Sequence, residues 1–571
     1  MKTGVLLSLA VATLLGAPVP PAQAEDAVGA YLAARQARYN NDFTAAAQYF
    51  TQALTKDPSN PEILESAVVA HLSLGQMGRA VPIARKIEAD GLLSQVSHMV
   101  LIADEVSREA YDDLFKRIED NRGIGVLADG LITAWAHRGN GQMDEALAQF
   151  DKVANERGLR SFAIYHKALA LASVGDYESA EAIFSGEVDG PIQRTRLGTI
   201  AWVEILSQLE RNADAVAILD DTFGAAQDPE IADLRARLDA GEQLAFTRIR
   251  SAQEGIAEVF FTLGQALMAE SSEDYVLLYA RIAEYLKPDH IDALIMTAEL
   301  LEALERHELA NEAYKRVPRD HPNFHVAELG RGESLRRADK TDAAVEVFAQ
   351  LAQSHPDLPI VHVSAGDLYR QLEQFDKSAI AYDRALELYE EQDSSQWFVY
   401  YARAISHERL DNWEQAEADF RKALELNPSQ PQVLNYLGYS MVEKQVNMDE
   451  ALAMIQEAVA AQPNSGYIVD SLGWVLYRLG RYDEAIGHME RAAELEPVDP
   501  VVNDHLGDVL WSVGRFTEAE FQWKRALSFV KEDEPSPDLD PDRIRSKLEL
   551  GLDTVLANEG APPLRIAGED G

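Results

Sequence analysis

Apolar residues recur at helical spacing in paired blocks along most of the chain, and residues 466–499 form one clear unit. Its first block places Leu472 and Leu476 on one face of a helix, because the two positions are four residues apart. Gly480 ends that helix, a second amphipathic block follows, and Pro497 prevents its continuation. The pattern therefore predicts two consecutive helices joined by a short turn.

The same unit recurs with a period of 34 residues, as the spacing of Pro288, Pro322 and Pro356 shows. Small residues keep the period as well, with steps of 34 or 35. They are Gly438, Gly473 and Gly507, and Ala416, Ala451, Ala485 and Ala519. A small residue lets two helix axes approach closely, so these positions mark helix–helix contacts. We count about 14 helix–turn–helix units.

The period, the small residues and the terminal proline resemble the tetratricopeptide repeat. The resemblance implies an all-α fold, a right-handed superhelical solenoid of about 14 repeats in two segments with a C-terminal capping helix. We predict a degenerate repeat segment over residues 25–222, a joint over 223–256 and a regular array over 257–533. A linker with the capping helix over 534–559 and a disordered tail over 560–571 complete the organisation.

The capping helix is predicted from local signals near the C-terminus. Asp540 stands at its N-cap and Pro541 in its first turn. One face is apolar, formed by Ile544, Leu548, Leu552, Val555 and Leu556. An open-ended repeat array needs such a helix to cover its last apolar surface.

Residues 1–24 have the pattern of a cleaved signal peptide. A positive residue precedes an apolar run over 5–15 that is too short to cross a bilayer comfortably. Ala22 and Ala24 match the small-x-small pattern of a cleavage site, which predicts cleavage before Glu25. The alternative is an uncleaved anchor. We expect a soluble exported protein, periplasmic in a Gram-negative bacterium, with no later transmembrane span.

Composition narrows the choice of partners. The 571 residues include 52 Lys and Arg against 95 Asp and Glu, a formal net charge of −43. Nucleic acids and anionic membranes require neutralising cations, so the charge argues against both as partners. Cysteine is absent, which excludes disulfides, thiolate metal sites and lipid attachment through a cysteine.

Catalytic signatures are missing from the sequence. It contains no Gly-Lys-Ser/Thr phosphate loop, no Gly-x-Ser-x-Gly elbow, no His-Glu-x-x-His pair and no acidic Ca²⁺ loop. His321 and His325, near Asp320, have the spacing of a metal pair, but Pro322 between them favours capping histidines on a turn. We interpret the acidic run 532–534 as a solvated loop. We therefore predict a non-catalytic protein without cofactor or metal.

In tetratricopeptide arrays the first helices of successive repeats line a concave face, and the resemblance implies a protein-binding groove there. The predicted groove residues are Tyr401, Asn435, Tyr439, Asp470, Trp474, Tyr477, Arg478, Asp504, Asp508 and Trp511. Aromatic residues interleaved with hydrogen-bonding groups are typical of protein-binding hot spots. The alternative is that the aromatic side chains pack between repeats. We expect Asn435 and Asp470 to bond the backbone of an extended peptide.

The C-terminal repeats have a closer resemblance, carried by the segments 435–439, 449–451, 470–485 and 505–511. They resemble exported bacterial tetratricopeptide proteins that act as adaptors for a carboxy-terminal processing protease. That resemblance implies binding to a serine protease and presentation of cell-wall hydrolases to it. Characterised members are outer-membrane lipoproteins, whereas this chain has no cysteine to carry a lipid.

Two other functions remain open at this point. One is a scaffold for polysaccharide export or outer-membrane assembly, although no alternating strand pattern follows residue 533. The other is a repeat-fused enzyme such as a glycosyltransferase, which the lack of a non-repeat domain disfavours. The sequence leaves the partner and the oligomeric state unidentified.

Overall fold

The computed structural model describes residues 23–188, 190, 192, 195–224, 228–389, 392–530 and 539–561. These residues form 31 α-helices and no β-strand. Fourteen pairs of consecutive helices form hairpins within this part of the chain. The predicted all-α fold of about 14 helix–turn–helix repeats is thereby confirmed.

The first compact unit covers residues 1–354 and contains nine of the hairpins. Its helices are α1 (Gln23–Tyr39), α2 (Phe43–Leu54), α3 (Pro61–Ser73), α4 (Met77–Ala89), α5 (Gln95–Ser107), α6 (Tyr111–Glu119), α7 (Val126–Gly139), α8 (Met143–Ala154), α9 (Arg160–Ala172), α10 (Tyr177–Phe184), α11 (Arg196–Gln208), α12 (Asn212–Phe223), α13 (Pro229–Asp239), α14 (Ala252–Leu267), α15 (Glu273–Leu286), α16 (Ile291–Ala303), α17 (His307–Tyr314), α18 (Phe324–Arg337) and α19 (Thr341–Ser354).

The second compact unit covers residues 355–571 and contains the other five hairpins. Its helices are α20 (Pro359–Gln371), α21 (Phe375–Leu388), α22 (Trp397–Arg409), α23 (Trp413–Leu426), α24 (Pro431–Glu443), α25 (Met448–Ala461), α26 (Gly466–Arg478), α27 (Tyr482–Leu495), α28 (Pro500–Ser512), α29 (Phe516–Phe529), α30 (Pro541–Leu550) and α31 (Leu552–Asn558).

Helix boundaries in the second unit follow the signals in the sequence. Asp499 caps α28, because its carboxylate accepts the backbone N–H of Val502 at 2.9 Å, and Pro500 occupies the first turn. Gly480 has a φ of 73° in the turn between α26 and α27, a conformation that glycine adopts without strain. Inside the hairpins, Gly507 lies directly against the Trp523 ring, so the small residue permits the close approach of α28 and α29.

In the first unit, a later hairpin covers the face formed by the first helices of several earlier repeats. The hairpin α14–α15 packs against α3, α5, α7 and α9. Arg281 on α15 donates to the backbone carbonyl of Ser73 at 2.9 Å, and Tyr285 is hydrogen-bonded to Ser107 at 3.0 Å. Helices buried on both sides lose the contrast between an apolar and a polar face. This burial accounts for the faint repeat pattern of the N-terminal segment.

The predicted joint over residues 223–256 lies inside the first unit, where α13 is followed by an extended stretch. Glu204 on α11 secures that stretch, since its carboxylate accepts the N–H and the hydroxyl of Thr247 at 2.7 and 2.8 Å. Arg248 reaches the same carboxylate at 3.0 Å. The segment without a repeat pattern is therefore held by specific contacts to a neighbouring repeat.

The C-terminal cap differs from the single helix expected. Asp540 caps α30 by accepting the N–H groups of Asp542 and Arg543, and Pro541 is in the first turn, as predicted. Gly551, with a φ of 82°, then separates α30 from α31. The prediction of one continuous helix was wrong, because the apolar pattern was extended across this glycine.

Three predicted segments lie wholly or mostly outside the described residues. They are the signal peptide over 1–24, of which only 23 and 24 are described, the linker part of 534–559 before residue 539, and the tail from residue 562. In the part of the chain that the structure describes, no helix combines the length and the apolarity needed to cross a bilayer.

Candidate functional site

A cavity of about 460 Å³ lies in the second unit, beside the first helices of four successive repeats. Its wall combines aromatic, cationic and anionic side chains from α22, α24, α26, α28 and α30. The lining residues are Glu408, Arg409, Tyr436, Tyr439, Ser440, Glu443, Trp474, Asp504, His505, Leu539, Asp540 and Arg543. We call this space the second-unit cavity.

Trp474 forms part of the wall and is also packed between repeats. Its indole lies 3.9 Å from the His505 ring and 4.8 Å from the Tyr477 ring, stacked on both. Its Nε1 donates to Oε1 of Glu443 at 2.8 Å. Only 9% of Trp474 is exposed, so most of the residue packs between repeats. Its remaining surface forms part of the cavity wall.

His505 is buried next to the cavity and is paired with a carboxylate. Its Nδ1 lies 2.9 Å from Oδ2 of Asp470. Burial lowers the pKa of His505, but attraction to Asp470, with smaller contributions from Asp504 and Asp508, outweighs burial and raises the pKa above its ordinary value. Asp470, predicted to bond a peptide, is therefore engaged by a neighbouring repeat, while its Oδ1 has no hydrogen-bond partner among the described residues.

The last repeat holds a buried cation, Lys547 of α30. Its ammonium is fully buried and lies 2.9 Å from both oxygens of Asp504 and 2.7 Å from Oδ1 of Asp508. Trp523 Nε1 also donates to Oδ1 of Asp508, at 2.9 Å. Burial and repulsion from Asp508 raise the pKa of Asp504, although Lys547 opposes that rise.

Three predicted groove residues are thus covered by the cap of the chain. Asp504 and Asp508 contact α30, and Trp511 Nε1 donates to Asp553 of α31 at 3.0 Å. Asp504 still lines the second-unit cavity while it pairs with the cap, and the binding role of these three residues stays a prediction. The cap covers them because α30 and α31 fold back onto the face of α28, which no following repeat covers.

The remaining predicted groove residues differ in how far their side chains are buried. Tyr439 is half-buried in the cavity wall, and Arg478 donates to Glu443 at 3.1 Å. Tyr477 is buried beside Trp474, and half-buried Tyr401 packs on the Phe420 and Tyr436 rings.

Asn435, like Asp470 and Asp508, is a predicted groove residue with an acceptor that makes no hydrogen bond within the described residues. The residue is half-buried on α24, and its Oδ1 is buried without a hydrogen-bond partner in the part of the chain that the structure describes. A buried amide oxygen normally has a partner, so an unpaired one is an exception that a bound donor would satisfy.

Several cavity residues escaped the sequence analysis. Tyr436 belongs to the same helix as Asn435 but points to the cavity from a position outside the expected pattern; burial raises its pKa to about 12, so its hydroxyl remains a neutral donor. Arg543 belongs to α30 of the C-terminal cap and lines the cavity from there. Its contact with the last repeat does not recur along the chain, so the repeat pattern does not predict it. The one available signal was the placement of Arg543 and Lys547 one helical turn apart, flanking the apolar Ile544.

The histidines considered as a metal pair are engaged in local turns. His321 Nδ1 accepts the N–H of Asn323 at 3.1 Å, and His325 Nδ1 donates to the carbonyl of Pro322 at 2.9 Å. Across the described ranges, no group of three His, Asp or Glu side chains is arranged to hold a metal ion. The acidic run 532–534 falls outside those ranges.

Family models match five stretches of the chain. Models described as tetratricopeptide repeat match residues 31–91, 292–323, 329–393, 401–466 and 469–497. A TPR repeat-containing protein of Pseudomonas aeruginosa is 32% identical over 81 residues, which is 14% of this chain and 14% of that relative. The match spans a small part of the relative's length.

Solved structures that match the chain share little sequence with it. Cut9–Hcn1 of the APC/C has a TM-score of 0.38 at 16% identity, covering 92% of this chain and 96% of that one. Yeast Tom70 has a TM-score of 0.34 at 15% identity, with 94% and 99% covered. A tetratricopeptide repeat protein from Parabacteroides merdae has a TM-score of 0.37 at 18% identity, with 46% and 98% covered.

Proposed function

We propose that this tetratricopeptide-repeat protein is a non-catalytic scaffold that binds a segment of another protein at the second-unit cavity. The observation that carries the proposal is the cavity itself, which spans four repeats and joins aromatic rings to charges of both signs. Polypeptides offer apolar side chains, charges and backbone hydrogen bonds together, so a wall of mixed chemistry fits them.

The first helices are covered in the first unit but line a cavity in the second, and this difference supports the assignment. In the first unit the hairpin α14–α15 covers the face formed by α3, α5, α7 and α9. The equivalent helices of the second unit keep a cavity of about 460 Å³. Asn435 adds a free acceptor on the same row of first helices. We therefore assign partner binding to the second unit.

The specific role that we propose is an adaptor in the bacterial periplasm, recruiting a carboxy-terminal processing protease to cell-wall hydrolases. The support is the resemblance of the segments 435–439 and 470–485 to such adaptors, together with the signal-peptide pattern of residues 1–24. A net charge of −43 favours partners with basic or apolar surfaces.

Site-specific photo-crosslinking tests the assignment. Benzoylphenylalanine replaces Tyr439 in the cavity wall of the full chain, and a matched variant carries it at Phe521, which is 72% exposed on α29. Both chains are expressed in the source bacterium and irradiated, and the adducts are identified by mass spectrometry. We expect a discrete adduct from position 439 that position 521 does not form.

The identity of the adduct separates the candidate roles. A serine protease or a cell-wall hydrolase supports the adaptor role. Components of polysaccharide export or outer-membrane assembly would support a scaffold in those systems instead. Identical adducts at both positions would contradict binding at the cavity.

A further inference from the structure

Helix α30 contacts the last repeat through two cations that lie one turn apart. Lys547 is fully buried between Asp504 and Asp508, and Arg543 Nη1 lies 3.6 Å from Oδ2 of Asp508. Ile544, between them on the same face, has no exposed surface. The helix thus presents a cation, an apolar side chain and a second cation to α28.

The surface that receives α30 is built for a positive charge. Burying an ammonium group is unfavourable unless it is paired and hydrogen-bonded. Here two carboxylates pair with it, and the ammonium lies 5.8 Å from the centroid of the Trp523 ring. Trp523 also donates to Asp508, which fixes that carboxylate in place.

This surface is continuous with the second-unit cavity. Asp504 contacts Lys547 and also lines the cavity, and Arg543 does the same from the side of α30. A chain that enters the cavity along α24 and α26 therefore meets the place where α30 now lies. The carboxylate Oδ2 of Asp508 makes no hydrogen bond within the described residues, and its nearest cation there is Arg543 of α30, at 3.6 Å.

We propose that Asp504, Asp508 and Trp523 form a receptor for a basic helix, which α30 occupies in the free protein and a partner's helix occupies in the complex. The partner's helix carries two lysine or arginine side chains one turn apart, flanking an aliphatic residue. This inference rests on the proposed function, because it specifies the chemistry of the segment that the second unit binds. A net charge of −43 accelerates the approach of such a segment at low salt.

A synthetic peptide of residues 539–561 provides the probe, labelled with a fluorophore and titrated with the full chain. In the wild-type chain the covalently attached α30 competes at high effective concentration, so we expect weak binding of the peptide. Lys547→Met in the chain removes the competing ammonium, and we expect at least a tenfold increase in affinity for the wild-type peptide. Arg543→Gln in the chain weakens α30 without removing the buried ammonium, and it serves as the second variant if Lys547→Met unfolds.

Changes in the peptide identify the cation as the recognised group. Lys547→Met in the peptide lowers its affinity for the opened chain at least tenfold. Arg545→Gln leaves the affinity unchanged, because Arg545 is exposed and pairs within α30 with Asp542. Equal binding of the Lys547→Met and wild-type peptides would overturn the proposal, as would no binding to either opened chain.

The crosslinking experiment at Tyr439 distinguishes the two proposals. A specific adduct at Tyr439 together with failed peptide binding would overturn the basic-helix receptor and leave the cavity assignment standing. Peptide binding that depends on Lys547, without any specific adduct at Tyr439, would retain the receptor and remove the cavity assignment.

Discussion

The indole of Trp474 and the imidazole of His505 lie nearly parallel, with their centroids 3.9 Å apart and 14° between their planes. The two residues belong to successive first helices, α26 and α28, and Asp470 holds the imidazole from the α26 side at 2.9 Å. One aromatic contact and one ion pair therefore join two repeats at the wall of the second-unit cavity.

The His505–Asp470 pair predicts a dependence of stability on pH. The pKa of His505 is raised above 6.5 in the folded protein, so the folded state binds the proton more tightly than the unfolded state. The contribution to stability is fully present below the unfolded pKa and is lost as pH rises through the folded pKa. Melting temperatures of the wild type and His505→Gln, measured between about pH 5.5 and about pH 9, should converge as pH increases.

Other histidines also affect the wild-type melting profile. The quantity to compare is therefore the difference in melting temperature between the wild type and His505→Gln at each pH. Burial lowers the pKa of His166 to about 4 and lowers that of His71, which gives the opposite slope to the wild-type profile. These residues are unchanged in His505→Gln, so their contribution cancels. A gap between the two melting profiles that stays constant with pH would contradict the ion pair.

The fold was predictable because the repeat pattern reports contacts between neighbours in sequence. Gly507 and Trp523, for example, belong to one hairpin and follow the 34-residue period. The contacts that closed off predicted surfaces join distant segments, such as Arg281 with Ser73 and Lys547 with Asp504. Each of these contacts occurs once along the chain, so the repeat period cannot predict it.

The candidate site was predictable only in part for the same reason. Tyr439 and Trp474 were found from their places in the repeat, and both line the cavity. The burial of Trp474 depends on His505 in the next repeat, a pairing that the spacing of one helix cannot specify. Coverage of Asp508 depends on α30, whose return onto α28 is a tertiary contact.

Gly507→Ala tests the close packing of α28 against α29. A Cβ at this position would lie 2.4 Å from Nε1 of Trp523, a ring held by its bond to Asp508. We expect the substitution to lower the free energy of unfolding of the second unit by about 1–3 kcal/mol through overpacking. Gly487→Ala is the matched control, because nothing lies within 4 Å of its Cβ on α27, and it should stabilise by about 0.5–1 kcal/mol. Urea denaturation followed by circular dichroism measures both, and equal effects would contradict the packing.

Glu258→Ala tests the attachment of α14 to α9 and to the turn before α16. The Glu258 carboxylate is fully buried and accepts the Tyr165 hydroxyl at 2.8 Å. His290 Nδ1 accepts the N–H of Ala293, so its Nε2 carries the proton and donates to Glu258 at 3.2 Å. Removing the carboxylate leaves two buried donors unpaired, which costs about 3 kcal/mol.

Hydrogen exchange followed by mass spectrometry measures this loss locally. A loss of about 3 kcal/mol corresponds to roughly a hundredfold faster exchange in peptides from α14 and α9. Glu270→Ala, in the exposed turn after α14, is the control and should leave the exchange rates unchanged. Unchanged rates in Glu258→Ala would show that the carboxylate does not hold these helices together.

Trp474→Ala and Asn435→Ala separate packing from partner binding. Trp474 is stacked between Tyr477 and His505, so its truncation should reduce the free energy of unfolding by about 3 kcal/mol as well as weaken binding. Asn435 has a free, buried Oδ1, so Asn435→Ala should change stability by less than about 1 kcal/mol while removing an acceptor for the partner. The yield of the adduct from benzoylphenylalanine at position 439 should fall in both variants, with melting temperature lowered only in Trp474→Ala. An Asn435→Ala chain that melts early, or that keeps the full adduct yield, would remove Asn435 from the binding surface.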